Sequence, residues 1–175
     1  MISKRGLCLI AAMLCLLSTE AHGADATVQD MQIVGRALSF KEGHRRGTIE
    51  IAIVYDGSDG RSVSEMRAAV AALGAGLRVG DSELRPVAVE QSAFKSASDY
   101  GGVFATGSVN QGLLRSALGS SGVPCFTLDV GQVSSGACTV AIRSRPSVSI
   151  SISSRNAAAA DVRFATAFIM MVREI

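Results

Sequence analysis

The stretch TIEIAIVYDGSDGRSVSEMRAAVAAL, Thr48 to Leu73, decides the fold. Thr48–Tyr55 is β-branched and mostly apolar, as a strand buried on both faces must be. DGSDGRS then makes a polar loop. Ser62-x-x-Glu65 matches a capping box and opens a helix that runs to Leu73, and Gly74 and Gly76 end it. A unit of the same design returns later. Gly102–Thr106 (GVFAT) reads as a buried strand, Ser108-x-x-Gln111 as a second capping box, and the helix after it reaches about Leu118 before GSSG. Two strand–loop–helix units in succession imply parallel strands joined by right-handed crossovers.

Upstream, Val28–Phe40 is helical in period, with Met31, Val34 and Leu38 on one face and Ile33, Ala37 and Phe40 beside it. Between the two units, LRVGDSELRPVAVE reads as a short strand, a turn and another strand. Downstream, Val123–Leu128 and Ala137–Arg143 read as strands. In RPSVSISISS, Val148, Ile150 and Ile152 alternate with Ser147, Ser149, Ser151 and Ser153, the period of a half-buried strand beside a hairpin partner. RNAAAADV favours a short helix, and FATAFIMMVREI reads as an apolar closing helix. The short turns between the later strands suggest antiparallel pairing. The expectation is an α/β fold: a single domain with a mixed parallel/antiparallel β-sheet flanked by helices on both faces.

The chain opens with the layout of a secretory signal peptide: basic Lys4 and Arg5, an apolar run from Leu7 to Leu17, and Ala21-His22-Gly23. The run is too short to span a bilayer, which takes roughly 20 apolar residues. An uncleaved anchor is the alternative, and Leu14 is too bulky for a lipobox before Cys15. Residues 1–23 are read as the signal and residues 24–175 as the domain. Cys8, Cys15 and His22 depart with the signal, and the working location is the periplasm. Loss of Lys4, Arg5 and Glu20 leaves 15 basic and 14 acidic side chains of the original 17 and 15. That near-neutral balance disfavours nucleic acid or a polybasic membrane surface as partner.

Export places Cys125 and Cys138 where thiols pair. Both sit in strand-like sequence, and DVGQVSSG between them would let neighbouring strands bring their Cα atoms within bridging distance. A structural disulfide is the first reading; a switchable redox bridge and a free reactive thiol stand beside it. Zinc needs four ligands at short spacings, and the mature chain offers two Cys and the distant His44. A CxxC redox motif is absent.

His44 lies in GHRRG and reads as a solvated loop residue whose protonation Arg45 and Arg46 discourage; no G-x-S-x-G elbow exists. DGSDG sits where open α/β sheets bind ligands, at the end of a strand and the start of a helix. Asp56 and Asp59 would repel phosphate, and neither a G-x-G-x-x-G nor a P-loop lysine is present. Gly60 and Arg67 fall where an EF-hand needs carboxylates. A turn that caps its helix is the plain reading. The other is a small polar crevice lined by Asp56, Ser58 and Asp59 from this loop and Thr106, Ser108 and Asn110 from TGSVNQG. Arg143, Arg145 and Arg155 bracket the alternating strand as a solvated face or a basic interaction patch. FIMMV reads as core, with an adaptable partner groove as the alternative.

The sequential order of these segments (IEIAIVYDG, LRPVAVE, GVFAT, PCFTLDV, a Cys-bearing strand, and VSISISSRNAAAADVRFATAFIMMV) resembles the YfiR-like periplasmic proteins. The resemblance runs from about Val28 to Ile175. The closing segment carries most of it, through Asn156, Ala157 to Ala160 and Phe164. It implies a small exported α/β domain without catalytic residues; no metal or cofactor is expected. Such a protein binds the periplasmic part of a membrane signalling protein; in the best-known member that is a diguanylate cyclase. In that member disulfides matter to stability, and Cys125 and Cys138 match its C-terminal bridge. This chain lacks a second mature cysteine pair and has SFKEGHRRG where the family usually has an aromatic-proline ending. Two further functions stay open: a small-molecule binding domain allied to periplasmic solute-binding proteins, and an enzyme of unrecognised type.

Overall fold

Ile49 and the run Ile51–Val54 are buried in strand β1 (Gly47–Tyr55), the axis of the sheet. The computed structural model describes residues 25–175. The signal segment with Cys8, Cys15 and His22 lies outside the described residues. Parallel to β1 run β3 (Ser82–Glu90) on one side and β4 (Gly102–Ala105) on the other. Next to β4 come β5 (Cys125–Thr127) and then β6 (Val140–Arg143), both parallel as well. Two antiparallel pairings flank this block. β2 (Leu77–Val79) turns back onto β3, and β7 (Ser149–Ile152) turns back onto β6. β8 (Arg173–Glu174) closes the far edge parallel to β7, giving the order β2-β3-β1-β4-β5-β6-β7-β8. The mixed sheet expected from the sequence is therefore present.

Alternation along β1 builds two cores. Ile51 and Ile53 join Phe104, Phe126, Ile142 and Ile152 under helices α1 (Val28–Ser39) and α2 (Gly60–Leu73). Ala52 and Val54 join Val103, Ala105 and Cys125 under α3 (Gln111–Leu118) and α4 (Gly131–Ser134). Helices thus cover both faces. The contacts of α1 follow its sequence period: Met31, Val34 and Leu38 are buried, and Gly35 sits so close to β2 that an added Cβ would lie 2.8 Å from Val79 Cβ.

Four local expectations are corrected. The caps lie elsewhere. Asp59 caps α2 through Oδ1, which accepts from Arg61 N and Ser62 N, and Asn110 caps α3 through Gly112 N and Leu113 N. Ser62 and Ser108 lose to neighbours equally able to accept at the N-cap, because the loop dihedrals turn extended at 59 and 110. Second, β5 and β6 are parallel. DVGQVSSG is a helical crossover rather than a turn, and the stretch from Leu128 to Thr139 has the dozen or so residues such a crossover needs. Third, the closing apolar segment is not one helix. α6 (Thr166–Ile169) is a single turn, and the chain then pairs with β7, whose open edge offers backbone partners that outweigh helix propensity. Fourth, β7 is not half-buried in the simple alternating sense. Ser151 and Ser153 are buried, and Val148 is exposed beyond the strand's start.

Candidate functional site

The chain leaves β1 toward β3 on one side, while β4 lies on the other. The winding reverses between β1 and β4, where open parallel sheets hold ligands beyond the strand ends. The loops after these strands do meet. Ser62 Oγ and Thr106 Oγ1 share a hydrogen bond of 2.5 Å, and Gly107 N donates to Glu65 Oε2 at 2.6 Å. Asp59 also lies near Ser108, whose hydroxyl lowers its pKa.

Of the six crevice residues Asp59 and Ser108 approach each other across the two loops, and the polar atoms of the others serve the loops themselves. Asp56 Oδ1 accepts from Ser58 N and Ser58 Oγ, at 2.9 and 2.7 Å. Thr106 is buried, and its hydroxyl donates to Val54 O. Asn110 and Asp59 are the helix caps. The Ser58 hydroxyl, then its N–H, holds Asp56 below the usual carboxylate value; the Ser108 hydroxyl does the same for Asp59. Nearby Glu90 is lowered chiefly by the Ser92 hydroxyl. At neutral pH this rim is a row of carboxylates, which repels an anion rather than cradling one.

A cavity of about 270 Å³ opens next to this crevice, on the α1/α2 face and at the ends of β4, β5 and β6. Phe104, Leu128 and Ile142 give it an apolar floor; Arg61, Arg143 and Arg145 are the cations at its walls. Ser144 also lines it and is 6% exposed. Its N–H donates to Asp30 Oδ1 at 3.1 Å, but its buried hydroxyl oxygen has no partner. Asp30 is itself held by the capping box at the start of α1, where Thr27 N and Thr27 Oγ1 donate to Oδ2. Glu65 is occupied by Gly107 N and by Arg61 Nε at 3.1 Å. Among the described residues neither Arg143 nor Arg145 forms an ion pair.

The expected basic patch is divided. Arg143 and Arg145 stand at the cavity, after the end of β6. Arg155 sits past the end of antiparallel β7, beside the start of β6, where its Nη2 donates to Ser134 O at 3.2 Å. That start is tied by a disulfide and several side-chain hydrogen bonds. Cys125 and Cys138 are joined by a disulfide with Cα atoms 4.6 Å apart, both fully buried. The Asn156 amide donates to Val133 O, Gly136 O and Cys138 O, and Arg115 Nη2 donates to Gly136 O.

The remaining candidates separate clearly. His44 is partly buried with Nε2 3.1 Å from Ser82 Oγ, and its basicity is lowered by burial first, then by Lys41 and Arg46. No group of three His, Cys, Asp or Glu side chains among the described residues is placed to hold a metal. FIMMV splits: Phe168 is core, whereas Met170 and Met171 are 81% and 65% exposed. Met171 borders an apolar groove of about 310 Å³ between α1 and β7, lined also by Ile33, Phe40, Val148, Ile150 and Val172.

Sequence reasoning missed Ser144, Asp30 and Asn156 as structural or site residues. Thr27-x-x-Asp30 carried a usable signal, since it has the spacing of a capping box; the other two had none of their own.

These features define a single-domain α/β protein with a doubly wound parallel block, stapled by the Cys125–Cys138 disulfide and carrying a cavity beside its switch point. No family model matches the chain, and no curated protein matches it. Among solved structures it is similar to a conserved domain protein from Vibrio cholerae O1 biovar El Tor, at 12% identity and a TM-score of 0.58. The match covers 86% of this chain and 61% of that one, so this chain spans about three fifths of that structure's length. At this identity the likeness extends to the fold. The disulfide is compatible with a location outside the cytoplasm, and no helix among the described residues is long and apolar enough to cross a membrane.

Proposed function

We propose that this chain is a periplasmic, non-enzymatic regulatory protein of the YfiR-like kind, which binds the periplasmic part of a membrane signalling protein such as a diguanylate cyclase. The observation that carries the proposal is the groove between α1 and the β7 edge. Val148 and Met171 line it and stand exposed, at 57% and 65%. Exposed apolar residues gathered at one groove favour a protein partner, and unbranched methionines adapt to one readily. The disulfide, the signal-like N-terminus and the near-neutral charge accord with an exported module that meets protein rather than nucleic acid.

The test replaces both Val148 and Met171 by Asp in the producing cell and measures cellular cyclic-di-GMP beside a deletion strain. Deletion is expected to change the level, and the folded groove variant to reproduce that change. A deletion strain with unaltered cyclic-di-GMP removes the cyclase as partner. A groove variant that behaves as the parent removes the groove.

A further inference from the structure

The Ser144 hydroxyl is a buried side-chain polar group without a hydrogen-bond partner. Burying a hydroxyl unpaired costs about 1–3 kcal/mol, and groups kept in that condition call for an explanation. Here the residue lines a cavity and is flanked in sequence by Arg143 and Arg145, which also line it. Arg61 reaches the same space from the first turn of α2. The acids around the cavity are engaged within the protein: Asp30 by Thr27 and Ser144 N, Glu65 by Gly107 and Arg61, and Asp129 by Gly131 N at 2.8 Å. The arginines at positions 143 and 145 have no such engagement.

We infer that the cavity at the ends of β4–β6 binds a small organic carboxylic acid, with its carboxylate on Arg143, Arg145 and the Ser144 hydroxyl and its hydrocarbon body on Phe104, Leu128 and Ile142. Each part of the site selects for this class. A guanidinium presents a planar fork that matches a carboxylate. The serine hydroxyl has one rotatable bond with which to turn from its buried position and donate to the same oxygens. The apolar floor rewards a hydrocarbon rather than a bare inorganic ion. The volume of about 270 Å³ lies at the lower limit of ordinary ligand pockets, which suits a small molecule. The engaged acids Asp30, Glu65 and Asp129 oppose a dianionic phosphate more than a monoanion. The site is separate from the α1/β7 groove, and either can fail alone.

The experiment titrates the oxidised protein with benzoate, benzyl alcohol and inorganic phosphate, following thermal stability and the heat of binding. Benzoate is expected to raise the melting temperature in a concentration-dependent way and to bind at least tenfold more tightly than benzyl alcohol or phosphate. Ser144→Ala and Arg145→Gln are each expected to weaken benzoate by about tenfold while melting near the parent. The Arg145 side chain is exposed, so folding does not depend on it. Equal binding of benzoate and benzyl alcohol overturns the carboxylate assignment, as does tighter binding of phosphate. Parent-like benzoate affinity in both variants, or no benzoate binding by the parent, overturns the site.

Discussion

The two ends of β6 are only a few residues apart and are built on opposite principles. At its start several polar groups are engaged in ties between elements. The Cys125–Cys138 bond, the Asn156 amide, Arg115 and Gln111 tie β5, α3, α4 and the short helix α5 (Ser154–Ala159) into one block. Past its end, Ser144 keeps an unpartnered hydroxyl between two arginines without carboxylate partners. The first arrangement is what stability requires, since buried polar groups are ordinarily satisfied. The second forgoes stability locally, as binding sites do. Within one strand the molecule separates what holds it together from what it offers to a ligand.

The largest effect should come from removing the staple. Cys125→Ser opens a closed loop and is expected to cost about 3 kcal/mol in the chain-entropy account. In a domain of this size that lowers the melting temperature by roughly 6–12 °C. Peptide mapping without reductant should recover the Cys125–Cys138 pair; free thiols at both positions would leave the block without its main tie. Asn156→Ala comes next, at about 2–3 kcal/mol, because the carbonyls of Val133, Gly136 and Cys138 lose a buried donor. A denaturant midpoint equal to the parent's would show that the amide is dispensable. Gly136→Ala should cost about 1–3 kcal/mol by overpacking, since its Cβ would fall 2.5 Å from Gln132 O and against the Gln111 amide oxygen.

The smallest effect is the pH response of His44, away from both ends of β6. Burial, then Lys41 and Arg46, hold its imidazole below 6.5. The unfolded chain therefore binds the proton more readily. Stability present above pH 6.5 falls as pH drops through that value toward the lowered one. His44→Gln should flatten this part of the stability curve, and an unaltered curve would mean that other groups govern it.

Much of the stable end was legible in the sequence, and almost none of the open end. Continuous apolar runs such as Ile51–Val54 and Val103–Ala105 announce parallel strands because such strands are buried on both faces. The cysteines announced their pairing through compartment chemistry, although the strands they join proved parallel. The caps were misplaced because Asp59 and Ser62, and likewise Asn110 and Ser108, are chemically equivalent candidates that only the backbone distinguishes. β8 was illegible because its partner edge exists only once β7 is in place. Ser144 was illegible for a stronger reason. Its isolation depends on Asp30, distant in the chain, taking its N–H while nothing takes its hydroxyl. The absence of a partner leaves no pattern in a sequence.

The measurement that bears most directly on this division is the denaturant midpoint of Ser144→Ala. A hydroxyl kept for a ligand contributes nothing to the free protein, so its removal should leave the midpoint unchanged or raise it. A loss of 1 kcal/mol or more, of the size that a satisfied buried hydrogen bond contributes, would mean that Ser144 belongs to the scaffold and that the two ends of β6 do not differ in kind.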